Sequence, residues 1–205
     1  MSFVAFLLAA SILAITPGPG ITYVIARTVS GGRSAGLASC IGLSLGGMVH
    51  VVAAALGLSF LIAESAMLFS LVKYVGAAYL VYLGVRQLMR KDAPVAVESF
   101  ASRGSRNALA EGILVEALNV KTALFFLAFL PQFVSPDRPV APQMVMLGSL
   151  CVTLNTIADV AAALAAHRLL ASDVARATRG RILNRVSGVT LLGLGTFLAF
   201  ARREA

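Results

Sequence analysis

Charge is what this sequence has least of. Only 13% of its 205 residues are Asp, Glu, Lys or Arg, and only nine are acidic, where a soluble domain carries about 25% charged residues. Hydrophobic residues make up 59% of the chain and the mean hydropathy is +0.88. So few charges cannot cover that much apolar surface, which excludes a soluble globular protein. Tryptophan is absent, and there are two cysteines and two histidines. Cys40, Cys151, His50 and His167 lie on distant segments, with no CxxC and no zinc-ligand spacing; no metal and no cofactor is expected. An intramembrane hydrolase fares no better, because His50 is the one histidine well inside an apolar block and there is no GxSxG elbow. The chain is expected not to be an enzyme.

What it does have is apolar length. Charges punctuate it into six blocks, roughly 3–26, 35–62, 66–88, 112–134, 143–167 and 182–201. Each can cross about 30 Å of hydrocarbon as a helix, and none alternates with the period of two that marks a strand. The expected fold is an all-α integral membrane protein of six transmembrane helices, one membrane domain over 1–205 with no room for a soluble one. The first block has no basic residue before it and no clear cleavage site, so it reads as a span and not as a signal peptide.

Lys and Arg set the orientation. Arg27 and Arg33, then Arg86, Arg90, Lys91, Arg103 and Arg106, then Arg168, Arg176, Arg179, Arg181 and Arg185 fall on one side; Arg138, Arg202 and Arg203 fall on the other. The positive-inside rule then puts both termini outside, with a cytoplasmic loop over about 89–111. The net charge of +8 is thereby a matter of topology. It suits anionic lipid headgroups and gives no reason to invoke nucleic acid. The loop separates two three-helix halves that must lie in opposite orientations, three being odd. Lys73, Gly76 and Gly84 in the third block resemble in spacing Arg185, Gly188 and Gly195 in the sixth, which suggests two inverted three-helix repeats, the plan of many secondary transporters.

Polar groups inside the blocks are few and concentrated. Thr16-Pro17-Gly18-Pro19-Gly20 removes two backbone donors and frees carbonyls near Leu13 and Ile15, so the first helix must break at depth, about 15 Å from the inner boundary. The fourth block holds Glu116, Asn119 and Lys121 and the fifth holds Asn155 and Asp159, at similar depths. A charge at mid-bilayer costs at least about 2.5 kcal/mol, so these groups need partners. On a regular helix Glu116 and Asn119 share a face, whereas Asn119 and Lys121 point about 200° apart; Lys121 is therefore expected to meet Asp159 or substrate. His50, mid-block, is a candidate proton relay. Lys73 is close enough to the outer surface to snorkel. Gly42, Gly46, Gly47, Gly76 and Gly84 are spaced for close helix approach.

With those residues placed, the sequence resembles the LysE/RhtB family of bacterial amino-acid exporters over essentially its whole length. The resemblance is carried by Ile15 through Gly20 (ITPGPG), Leu118 through Phe133 (LNVKTALFFLAFLPQF), Gly42, Gly46, Gly57 and Leu58, and Lys73 through Gly84 (KYVGAAYLVYLG). The departure is Val120, where the family usually has proline; with valine the fourth helix is free to stay continuous. Glu116 and Asp159 do not come from the family pattern. The resemblance implies proton-driven export of amino acids or close derivatives across the bacterial plasma (inner) membrane, with both termini periplasmic. In such a carrier Thr16, Pro17, Gly18, Pro19 and Gly20 would hold the substrate backbone and Asn119 and Lys121 its carboxylate. Asp159, Glu116 and His50 would serve proton coupling. A bundle this small is compatible with a homodimer. The alternative from another class is a membrane thiol-disulfide relay through Cys40 and Cys151, which occupy corresponding helices of the two halves.

Overall fold

The computed structural model describes residues 3–58, 66–89, 105–135, 137–169, 185, 188–196 and 199–200. Among them every regular element is a helix. In chain order these are α1 (Phe3–Ile15), α2 (Pro19–Ala53, widening into a π turn over Ala54–Leu58), α3 (Ala66–Met89), α4 (Ser105–Ala117), α5 (Val120–Leu124) and α6 (Val140–Leu169). A π turn (Phe125–Phe129) and a 3-10 turn (Leu130–Phe133) prolong α5, and residues 188–196 are helical. Residues 90–104, part of the expected cytoplasmic loop, and most of the basic residues that set the expected orientation, Arg176, Arg179, Arg181, Arg202 and Arg203 among them, lie outside the described residues, as does part of the expected 182–201 span.

By length and composition, Pro19–Gly57 and Val140–Ala166 can each cross a membrane, and Asn107–Ala117 with Val120–Phe133, bent by 41°, makes a third such stretch. Pro19–Gly57 is not one rod. Gly32 has φ 78°, ψ −179°, a left-handed backbone that glycine adopts without strain, and the helix reverses there. A Cβ on Gly36 would run into Thr28, and one on Gly20 would meet Leu43 at 3.5 Å, while Val24, Cys40 and Leu43 share an apolar cluster. These pairings are symmetric about Gly32, so α2 is a hairpin with arms 19–31 and 33–53.

Neighbouring directions follow from the closest contacts. Phe6 packs edge-on against Phe133 at 5.5 Å and Arg27 bonds Glu111, so α1 and the first arm of α2 together run antiparallel to α4 and α5. The second arm runs parallel to α4, with Gly42 against Leu109 and Gly46 against Ile113, and antiparallel to α6, with Gly47 against Val152 and Val51 against Gly148. On the far side α3 meets helix 188–196: a Cβ on Gly84 would come within 2.8 Å of the Gly188 carbonyl, and one on Gly195 within 2.9 Å of the Ala77 carbonyl. The two helices therefore run antiparallel.

Between these helices lies a core rich in phenylalanine, Phe6, Phe125, Phe126 and Phe129, with Leu130 and Met144; Phe125 and Phe129 stack at 4.9 Å. The outer faces are apolar too, as at Val4, Leu8, Ile12 and Ile15 on α1, the inside-out economy of a chain whose solvent is lipid. Lys73, expected to snorkel, is 9% exposed and holds its ammonium 5.1 Å from the Tyr74 ring centre. One expectation needs correction. The helix of the fourth block starts at Ser105, inside the stretch read as loop, because Ala108 is fully buried and Glu111 is anchored to Arg27. The continuity that Val120 leaves open in the sequence is decided against: the block holds two helices bent by 41°.

The Gly42 contact is with backbone, which cannot swing aside. Gly42→Ala should lower the stability of the detergent-solubilised protein by about 1–3 kcal/mol, read as a fall in its thermal unfolding midpoint. Gly193→Ala, where a Cβ meets nothing within 4 Å, should leave the midpoint unchanged or raise it.

Candidate functional site

Two interruptions of the helical backbone build the site. At the first, α1 ends on Thr16, whose N–H reaches back to Ile12 and Leu13 at 3.1 and 3.2 Å. Pro17 then has no N–H to give the Leu13 carbonyl. Gly18 is extended (φ −147°, ψ −169°) and Pro19 restarts the helix from its first position, where a missing donor is harmless.

At the second, α4 stops at Ala117 and Asn119 (φ −74°, ψ 102°) caps α5, its Oδ1 accepting the Lys121 N–H at 3.1 Å. Val120 keeps its own N–H, yet the helix still breaks, because the asparagine side chain offers the next turn a better start than a continued helix does. The expected 200° separation of Asn119 and Lys121 no longer applies.

The two breaks face each other. Lys121 crosses to the first and donates from Nζ to the carbonyls of Thr16 (2.9 Å) and Leu13 (3.3 Å). Gly18 makes room for it, since a Cβ there would lie 3.1 Å from Nζ. Thr16 itself is buried. The Leu13 carbonyl, denied a Pro17 N–H, accepts the Thr16 N–H and takes Lys121 as a further donor, so Lys121 rests on these carbonyls instead of pairing with Asp159.

Glu116 is the hub on the other side. Its carboxylate accepts Asn119 Nδ2 at 2.9 Å and Thr122 Oγ1 at 2.6 Å, and its backbone carbonyl accepts His50 Nε2 at 2.8 Å, which fixes the proton of that histidine on Nε2. Gly20 lies against the same carboxylate, a Cβ there being 3.3 Å from Oε2. Glu116, Asn119, Thr122 and His50 are all buried.

Asp159 faces this hub across a recess lined by Ser44, Glu116, Asn155 and Thr156, with room for about one water. It is 7% exposed, and among the described residues no hydrogen bond or ion pair engages it. The structure therefore gathers Thr16 through Gly20, Asn119, Lys121, Glu116 and His50 into one contiguous centre, with Asp159 beside it. Cys40 and Cys151 are unbonded and buried in two separate apolar clusters, an arrangement suited to packing.

Sequence reasoning missed Thr122, which bonds the Glu116 carboxylate, and misread Arg27. Counted as a loop charge, Arg27 is 1% exposed and bonds both Glu111 and, through Nε, the Tyr23 hydroxyl at 3.2 Å. That hydroxyl donates in turn to the Ala108 carbonyl at 2.9 Å. The available signal was spacing: Tyr23 and Arg27, four residues apart, share a helix face.

An all-helical chain with lipid-suited faces, and two broken helices meeting on buried charge, has the make-up of a membrane translocator. Residues 11–202 match the LysE type translocator family, and the chain belongs to it. A membrane protein of Vibrio cholerae is 33% identical, over 98% of this chain and 97% of the relative. The homoserine/homoserine lactone efflux protein of Salmonella typhimurium is 30% identical over 97% and 96%, and the membrane protein YrhP of Bacillus subtilis 33% identical over 76% and 79%. No solved structure matches the chain.

The Arg27–Glu111 pair yields an asymmetric prediction. Glu111→Ala strips a fully buried guanidinium of its carboxylate and should cost about 3–5 kcal/mol. Arg27→Met leaves a carboxylate on a side chain 26% exposed, which water can reach, and should cost about 1 kcal/mol. Unfolding midpoints of the two variants in detergent check the order.

Proposed function

We propose that this protein exports amino acids or close derivatives from the cytoplasm across the bacterial plasma membrane by proton antiport, as six spans in two inverted repeats with both termini periplasmic. The family and the efflux relatives support the export of an amino-acid-type substrate. The alternating packing directions of the helices and the reciprocal Gly84 and Gly195 contacts support the topology.

The observation that carries the mechanism is the meeting of both helix breaks with Lys121, Asn119 and Glu116 beside a buried Asp159 that is unpaired among the described residues. A zwitterion needs donors for its carboxylate and carbonyls or carboxylates for its ammonium, and broken helices supply backbone groups for both at mid-membrane. In this reading Thr16 through Gly20 receive the substrate backbone, and Lys121 and Asn119 turn to its carboxylate. Asp159 takes up the proton, with Glu116 and His50 completing the path. Asp159 suits the role because it is a buried carboxylate that no ion pair engages among the described residues.

Radiolabelled uptake into inverted vesicles, screened across amino acids with and without a proton gradient, tests the reading. Asp159→Asn should cut gradient-driven uptake at least about tenfold while sparing substrate exchange at equal concentrations, since only the proton's seat is lost. Undiminished proton-coupled transport by both Asp159→Asn and Glu116→Gln would overturn the carboxylate assignment.

A further inference from the structure

Lys121 is satisfied in an unusual way for a lysine inside a membrane. Two carboxylates lie near it, yet its ammonium rests on two neutral backbone carbonyls, Leu13 and Thr16. Those acceptors have a lone pair to give because Pro17 cannot donate to Leu13, which keeps the Thr16 N–H at 3.2 Å, and because the chain turns out of the helix at Gly18. They converge on one point at hydrogen-bonding distance, and the absent side chain of Gly18 leaves space beside it. Chemically this is a seat for a primary ammonium, three donors meeting fixed carbonyl dipoles.

We infer that the Leu13 and Thr16 carbonyls form a binding site for the substrate's primary ammonium, that Lys121 fills it in the unloaded carrier, and that substrate loads by displacing Lys121. The inference rests on the export reading and adds the order of events and the group recognised. A second ammonium could not simply join Lys121, because two like charges a few ångströms apart, away from water, repel strongly; the site must exchange its occupant. Neutral acceptors make the exchange feasible, since a lysine held by a carboxylate would leave an uncompensated anion behind. The displaced lysine also has somewhere to go. Glu116 is already engaged by Asn119 and Thr122, but none of the described residues engages Asp159, and an amino acid brings its own carboxylate within reach of the same side chain. Lys121 thus acts as a tethered competitor that selects for substrates able to repay its displacement with a carboxylate.

Homoserine and homoserine lactone separate the alternatives, for both carry the ammonium and only homoserine has a free carboxylate. Binding of each would be measured by calorimetry on the purified protein and on Lys121→Met. The inference expects the lactone to bind the variant about tenfold more tightly than the wild type, its resident competitor being gone, while homoserine gains less or loses affinity. Unchanged lactone affinity with weakened homoserine would mean that Lys121 is only a carboxylate anchor and would overturn the inference while leaving the export reading intact. If neither compound binds the wild type, the export reading for these substrates falls, and this inference falls with it.

A second measurement avoids altering Lys121. The chain has three lysines, Lys73, Lys91 and Lys121, so a Lys73→Arg, Lys91→Arg protein grown on 13C-lysine reports on Lys121 alone. Saturating lactone should shift its Cε resonance; an unmoved signal with lactone bound would overturn the displacement.

Discussion

Backbone groups that cannot reach water have to find partners in the protein, and this constraint governs the centre of the molecule. Burying an unsatisfied carbonyl in an apolar medium costs several kcal/mol. Pro17 and the turn at Gly18 deprive the Leu13 and Thr16 carbonyls of their regular helical donors, leaving Leu13 the Thr16 N–H at 3.2 Å, and the ammonium of Lys121 reaches both carbonyls from across the bundle. A lysine needs somewhere to keep its charge at that depth and a broken helix needs a donor, so each defect compensates the other. The geometry of the site follows from that exchange, including the bare Cα of Gly18 and the early turn of α5 that aims Lys121 at the break.

The second break obeys the same rule with different chemistry. Asn119 does three things at once: it ends α4, it caps α5 with Oδ1, and it gives Nδ2 to the Glu116 carboxylate. Glu116 in turn ties Thr122 by its side chain and His50 by its carbonyl, joining α2, α4 and α5 through one residue. What remains outside this network is Asp159. The cluster is thus tied together by hydrogen bonds on three helices, beside a buried carboxylate that none of the described residues engages. Towards the other end of the same helix pair, Arg27, Tyr23 and Glu111 tie the first arm of α2 to α4, so the two broken helices are clamped below their breaks as well as at them.

Much of this was legible in the chain because it depends on local chemistry. The break at Pro17 follows from two missing N–H groups, of which that of Pro17 is the one denied to Leu13, and the shared face of Glu116 and Asn119 follows from helical spacing. Glycines read as points of close approach are such points at Gly42, Gly46 and Gly84. The failures have a common cause. Regular-helix spacing sets Asn119 and Lys121 on opposite faces, and with Val120 in place of proline it leaves open whether the helix stops; the capping side chain competes with the backbone in a way that spacing arguments leave out. Arg27 was counted as a loop charge because it closes an apolar block, and only the position of Glu111 on a distant helix reveals it as an internal one.

The sequence by itself determined that this is a helical membrane protein, where its first helix breaks and which ionisable groups lie at depth, because each of those depends on composition or on bonds a residue makes within about a turn of itself. Tertiary structure decided who answers whom: Lys121 to the carbonyls of Leu13 and Thr16, Arg27 to Glu111, His50 to the carbonyl of Glu116, and Asp159 to none of the described residues. Such pairings join residues tens of positions apart, and their geometry is set by the crossing of helices, which depends on how many side chains pack together and not on any one of them.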